Sequence, residues 1–149
     1  MGIGMKQPVE ILLLDLGNVV NEFAGLKEVQ RLFLPDHTPD DIRRRWISSP
    51  ALMALECGRI SPEDFAIRFV REWRLPITPD DFLDLFVAWA RPPFPGIRDL
   101  LDTLAARYPM ACLSNLNPLH WQKVSSEYGL GWFFPRRYLS YEMGLVKPN

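Results

Sequence analysis

A chain of 149 residues with 48% hydrophobic content can bury one sizeable core, and 17 Lys+Arg against 18 Asp+Glu, net −1, give no single-sign field that would draw nucleic acid or a membrane surface. Cys57 and Cys112, the only two cysteines, lie in apolar context, which excludes a disulfide framework or zinc site and predicts buried reduced thiols. The aliphatic run from Ile11 is broken by Asp15 after four residues, too soon for a signal peptide or a membrane span. Met1-Gly2 is not followed by the Ser or Thr of a myristoylation signal, because Lys6 stands there. A cytoplasmic protein without nucleic-acid or membrane partner is expected.

Ile11-Leu12-Leu13-Leu14, preceded by Pro8-Val9-Glu10, predicts a fully buried strand. Asp15 then sits where the strand gives way to Gly17-Asn18, at the carboxyl end, which is where open α/β sheets bind ligands. On this segment alone, Asp15 starting a turn with Gly17 and Asn18 is an equal reading. From about Phe23 to Ala90 no convincing strand is found. Thr38-Pro39-Asp40-Asp41, Ser61-Pro62-Glu63-Asp64 and Thr78-Pro79-Asp80-Asp81 each join an N-cap to a proline and first-turn acids, predicting at least three helices. The residues that follow differ in length and apolar spacing, so the similarity is shared capping chemistry and not an internal repeat.

Phe65/Phe69 and Phe82/Phe86/Trp89 recur at helical spacing, and with Trp46 and Trp73 they read as a core stripe in preference to a ligand-stacking cleft. Arg43-Arg44-Arg45 reads as a solvated face. Arg91-Pro92-Pro93-Phe94-Pro95-Gly96 is expected to be a rigid linker, followed by a helix from Ile97 to Tyr108. Met110 to Leu113 is a second apolar strand that ends on Ser114-Asn115, and a helix-like run from Leu119 to Tyr128 follows Asn117-Pro118. A hydroxyl at that strand end can hydrogen-bond a phosphoryl oxygen without bringing charge, although Ser114-Asn115 alone would read as a helix cap. His120 follows the Ser114 loop closely enough to approach substrate, although a place on a helix surface is the preferred reading, and His37 lies too far away in sequence for metal spacing. Last, Gly144-Leu145-Val146-Lys147-Pro148 places the Lys147 ammonium on a loop.

In this order, strand-Asp15, strand-Ser114 and Lys147 resemble the first three motifs of the haloacid dehalogenase-like hydrolase superfamily, and the resemblance spans the chain. Asp15-Leu16-Gly17-Asn18-Val19, Leu113-Ser114-Asn115 and Cys57-Gly58-Arg59-Ile60-Ser61 look most like its α-glucose-1-phosphatase-like, sugar-phosphate phosphatase branch. The resemblance implies an α/β fold: a Rossmann-like parallel-sheet core from residues 1–22 and 91–149, its carboxyl-terminal part missing, with an inserted α-helical cap from 23–90. It also implies a Mg²⁺-dependent hydrolase in which Asp15 is the nucleophile, Ser114 a phosphoryl hydrogen-bond donor and Lys147 the neutralising cation. Asp15 and the Gly17 backbone would hold Mg²⁺, and Asn18 and Asn115 would contact substrate, a small phosphorylated metabolite.

The chemistry is intelligible by itself. A phosphate monoester repels an attacking carboxylate, so an aspartyl nucleophile needs positive charge and preorganised donors beside it. The chain departs from the pattern twice. Gly17 stands where many such phosphatases have a second Asp, and the fourth motif, an acidic pair after a further strand, has no counterpart before Asn149; Asp80-Asp81 is expected to begin a helix instead. The chain as given is therefore expected to bind Mg²⁺ weakly, to turn over poorly, and to dimerise through an unpaired edge of the core sheet. A dehalogenase, which also lacks the second Asp, and a non-catalytic fragment or pseudoenzyme that binds protein are the alternative readings.

Overall fold

The computed structural model describes residues 8–148, so the Met1-Gly2 and Lys6 reading and Asn149 lie outside the described residues. Strands β1 (Leu12–Leu14), β4 (Met110–Ser114) and β5 (Arg136–Leu139) form a parallel sheet in the order β1-β4-β5. Leu12 is in register with Met110 and Leu14 with Cys112, while Ser114 pairs with Leu139. All three strands point the same way, so Asp15, Ser114 and the start of α8 (Ser140–Met143) emerge at one edge of the sheet.

One expectation is corrected at β1. The run from Ile11 is not fully buried: Leu13 is 53% exposed and Ile11 40%. Leu12 and Leu14 pack against the sheet's core while Leu13 points to the opposite face, the alternation of a half-buried strand. Among the described residues β1 has β4 as its only neighbour in the sheet. By contrast, Met110, Ala111 and Cys112 of the central β4 are all buried.

Five helices follow one another between residues 25 and 88: α1 (Gly25–Phe33), α2 (Pro39–Ile47), α3 (Pro50–Glu56), α4 (Pro62–Trp73) and α5 (Pro79–Ala88). Thr38, Ser61 and Thr78 each accept a hydrogen bond from the third residue of their helix, with proline at its start, as their sequences predict; each such cap contributes about 1 kcal/mol. Asp80 and Asp81 lie in the first turn of α5. Two helices were less visible. Helix α1 has no side-chain cap, and α3 is capped by Ser49 but has no acid in its first turn. The bundle closes around Phe65, Phe69, Trp73, Phe82, Phe86 and Trp89, all buried, with Trp46 against Phe69, Trp73 and Trp89. Arg45 departs from the expected solvated face: its guanidinium lies 4.5 Å over the Trp73 ring and donates to the Glu72 carbonyl, whereas Arg43 and Arg44 are exposed.

The linker at 91–96 is also corrected. Its first part belongs to β3 (Ala90–Pro93), which pairs antiparallel with β2 (Asn21–Phe23). The chain enters and leaves the helical bundle through this ribbon, with Ala24 N–H donating to the Trp89 carbonyl and Phe94 N–H to that of Val20. Prolines at 92 and 93 hide the strand from a sequence reading, yet proline is tolerated at an edge. Beyond it, α6 (Ile97–Ala105) leads to β4, and the run after Asn117 is α7 (Pro118–Gln122) continued by a π-helical turn over Lys123–Glu127. A second apolar core, with Leu16, Leu101, Cys112, Val124, Leu130 and Leu139, lies under the sheet. Both cysteines are free and buried, and burial pushes the Cys112 thiol up to about 11. No helix among the described residues is long and apolar enough to cross a membrane.

Candidate active site at the carboxyl edge of the sheet

Asp15, Gly17, Asn18, Ser114, Asn115 and Lys147 all line one cavity of about 310 Å³ between the sheet edge and the helical bundle. The backbone after β1 makes a tight loop: Val20 and Asn21 N–H both donate to the Leu16 carbonyl, and Asn18 N–H donates to that of Asn21. Asn18 has φ of 60°, a left-handed conformation that asparagine tolerates, and its Oδ1 accepts from Phe23 N–H at 3.0 Å. That bond fixes the loop to β2. Asp15 leaves the turn with a half-exposed carboxylate whose Oδ1 accepts from Leu16 N–H at 2.8 Å.

Lys147 meets it from the other side. Its Nζ lies 3.3 Å from Asp15 Oδ2 and donates to the Leu113 carbonyl at 2.8 Å, so the ammonium bridges the ends of β1 and β4. Side-chain exposures of 37% and 44% make this pair a weak contributor to stability; its value lies in placing a cation against the carboxylate. Asn115 holds the lysine in position: its Oδ1 accepts from Lys147 N–H at 2.7 Å and its Nδ2 donates to the Lys147 carbonyl at 2.9 Å. The amide of Asn115 is thus spent on the backbone of Lys147. Ser114 is 3% exposed at the end of β4, and its hydroxyl has no hydrogen-bond partner among the described residues, which leaves it free for a ligand.

Two further anchors have roles that the sequence did not assign them. Buried Ser140 donates its hydroxyl to the Leu116 carbonyl and accepts from Leu116 N–H, tying the loop after β4 to α8. His120, expected on a surface, is 2% exposed and lines the cavity. Its backbone N–H donates to Asn117 Oδ1, its Nδ1 accepts from Asn117 Nδ2 at 3.0 Å, and its Nε2–H donates to the Phe86 carbonyl of α5 at 2.6 Å; that network assigns the tautomer. Burial pulls the imidazole down to about 4, so it is neutral at pH 7 and both ring nitrogens are occupied. It connects sheet and bundle and has no proton to give a ligand.

The bundle's contribution to the cavity is mostly apolar, from Trp46, Leu52, Met53 and Phe86, with one acid, Glu56. Burial pushes the Glu56 carboxyl up to about 7. At the base of the ribbon, Asn21 donates to the carbonyls of Glu22 and Arg91, and its buried Oδ1 has no partner among the described residues.

The donor set suits a hard divalent cation such as Mg²⁺. No cluster of three or more His, Cys, Asp or Glu side chains exists among the described residues, but Mg²⁺ is commonly held by one or two carboxylates with waters and substrate oxygens completing its shell. Asp15 supplies a carboxylate at the cavity, and the Gly17 carbonyl accepts no hydrogen bond among the described residues, the loop's bonds being taken by Leu16 and Asn21.

No family model and no curated protein matches the chain. Solved structures do. A HAD family enzyme from Bacteroides thetaiotaomicron, in complex with magnesium and inorganic phosphate, is similar at TM-score 0.73 and 22% identity over 95% of this chain and 74% of that one. The fold is that of the haloacid dehalogenase-like enzymes. A predicted HAD-like family hydrolase from Porphyromonas gingivalis gives TM-score 0.71 and 24% identity over 95% and 71% of the two chains. L-2-haloacid dehalogenase from Xanthobacter autotrophicus, with chloropropionic acid covalently bound, gives 0.62 and 16% over 95% and 61%.

Proposed function

We propose that this HAD-like hydrolase fold serves a Mg²⁺-dependent phosphatase of small phosphorylated metabolites, with sugar phosphates the best fit, acting through an aspartyl-phosphate intermediate. The observation that carries the reading is the Asp15 carboxylate 3.3 Å from the Lys147 ammonium, with the free Ser114 hydroxyl in the same cavity. A similar fold crystallised with magnesium and inorganic phosphate supports it.

Asp15 attacks phosphorus in line; a new O–P bond forms as the bond to the leaving alcohol breaks, and that alcohol takes up a proton. Lys147 lowers the repulsion between nucleophile and phosphate, and Ser114 donates to a phosphoryl oxygen, both on groups whose charge changes in the transition state. Mg²⁺ held by Asp15 and the Gly17 carbonyl would supply further charge neutralisation. Water then cleaves the acyl phosphate and regenerates the carboxylate. The helical bundle acts as a cap over the cavity, excluding bulk water and choosing the leaving group.

Gly17, where a second Asp would assist the leaving group, favours substrates with a good leaving oxygen, such as the hemiacetal oxygen of a sugar 1-phosphate. The same glycine, and the fold shared with a haloacid dehalogenase, favour a second reading as a dehalogenase. Against it, no arginine lines the cavity among the described residues to cradle a halide.

The test is release of inorganic phosphate from a panel of phosphate monoesters with and without Mg²⁺, beside chloride release from 2-chloropropionate. Asp15→Asn should abolish phosphate release and leave circular dichroism and unfolding midpoint unchanged, because the amide fills the same space. Parent-level turnover by that variant, free of contaminating phosphatase, would sink the assignment; chloride release alone would select the second reading.

A further inference from the structure

This inference rests on the phosphatase reading and concerns the half of the cavity that reading leaves unexplained. In-line attack by Asp15 puts the leaving oxygen on the far side of phosphorus, so the leaving group extends away from the sheet edge. What faces it there is the bundle: an apolar wall of Trp46, Leu52, Met53 and Phe86 interrupted by Glu56, the last residue of α3. Its half-buried carboxyl makes no hydrogen bond to protein among the described residues. An acid placed in an apolar wall without a partner is unfavourable unless something else satisfies it.

Its place is also fixed with respect to the sheet. Two residues on, Gly58 has φ of +66° and lies so close to the Tyr141 carbonyl of α8 that a Cβ there would stand 2.3 Å from that oxygen. Helix α8 leads directly to Gly144 and Lys147, so α3 and the catalytic lysine are braced against the same short segment. Asp15, His120 and Lys147 are the other titratable groups lining the cavity; Asp15 and Lys147 face each other, and the ring nitrogens of His120 are both bonded. That leaves Glu56 as the lining acid or base with no protein partner.

We propose that Glu56 is a specificity-determining residue: its carboxyl hydrogen-bonds a hydroxyl of the leaving alcohol, selecting phosphate monoesters of small polyhydroxylated compounds over those of apolar alcohols. With burial raising this carboxyl to about 7, neutral pH populates both a donor and an acceptor form, and a hydroxyl can pair with either.

The experiment compares kcat/KM for glucose 1-phosphate and phenyl phosphate in the parent protein, Glu56→Ala and Glu56→Gln, with Mg²⁺ present. Glu56→Ala is expected to lose about 10²-fold on the sugar ester while phenyl phosphate stays within a few-fold, and Glu56→Gln, which keeps an acceptor and a donor, to retain most of the discrimination. Free glucose should compete with phenyl phosphate in the parent and fail to do so in Glu56→Ala, a binding readout independent of the chemical step. Parallel losses on both esters, or no loss on either, would overturn the proposal. So would a Gln variant as deficient as the Ala variant on the sugar ester alone, since that pattern marks proton donation. Absence of turnover of both esters, and of every other monoester of the panel, in the parent would instead refute the phosphatase reading on which the proposal stands.

Discussion

Two titratable groups at the cavity, the buried His120 and the half-buried Glu56, should pull stability in opposite directions over the same pH range. Burial holds the His120 imidazole at about 4 in the folded chain against 6.5 when free. The unfolded state therefore binds more protons between about 4 and 6.5, and the stability His120 contributes falls as pH drops through that window. Burial holds the Glu56 carboxyl at about 7 against 4.5, so there the folded state binds more protons and stability falls as pH rises from 4.5 to about 7. Between pH 4.5 and 6.5 each group contributes a change of about 2 kcal/mol, and the two nearly cancel. Unfolding by urea at pH 4.5, 5.5 and 6.5 should expose each in turn. Relative to the parent, Glu56→Gln should become about 2 kcal/mol more stable at pH 6.5 than at 4.5, and His120→Gln should shift by a similar amount in the opposite sense. Exposed carboxylates and arginines are common to all three proteins and drop out of the comparison. Variants whose pH slopes equal the parent's would show that neither group is desolvated as its surroundings indicate, and the argument would fail.

Three substitutions probe the rest of the site. Lys147→Met should lower kcat by about 10²-fold or more, and Ser114→Ala by less, because the first removes a charge and the second one neutral donor; equal near-parent rates measured by phosphate release would make both residues structural. Asn115→Ala should lower kcat by between about 10- and 10²-fold through misplacement of Lys147, with the double variant Asn115→Ala/Lys147→Met no worse than Lys147→Met alone. Gly58→Ala should destabilise the protein by about 1–3 kcal/mol in urea unfolding, since it combines a left-handed φ with a Cβ driven against a backbone oxygen, whereas Gly96→Ala, with the same sign of φ but open space, should show only the milder conformational penalty.

Much of the fold was legible because its signals are local. Thr38, Ser61 and Thr78 announce helices through chemistry confined to four residues, and the apolar run Met110 to Leu113 announces a strand with no reference to its neighbours. The errors arise where a neighbour decides. Ile11 to Leu14 has the composition of a strand buried on both faces, but burial of Leu13 depends on what covers that face, and composition carries no information about it. Ala90 to Pro93 has the composition of a linker, and only the return of Asn21 to Phe23 alongside makes it a strand. Arg45 reads as one of three equivalent charges until Trp73 arrives beneath its guanidinium.

The same distinction runs through the site. Asp15 and Ser114 were readable because each stands at a switch from apolar strand to polar loop, and parallel strands bring such switches to one edge whatever the details of packing; Lys147, beyond α8, was readable only from the Gly144 to Pro148 element that carries it. His120 and Glu56 were not. Asn117-Pro118-Leu119-His120 reads as a cap and a first turn, and the residue that buries the imidazole, Phe86, lies 34 positions earlier in another element. Glu56 closes a seven-residue helix in which an acid would ordinarily face water; the close approach of Gly58 to Tyr141 turns that helix end inward. The parts that would transfer a phosphoryl group are thus set by strand order. On the proposed reading, selection of the leaving group would depend on how the bundle docks, which is hidden from the sequence, and substitutions at Glu56 or Gly58 are expected to alter selectivity without touching Asp15, Ser114 or Lys147.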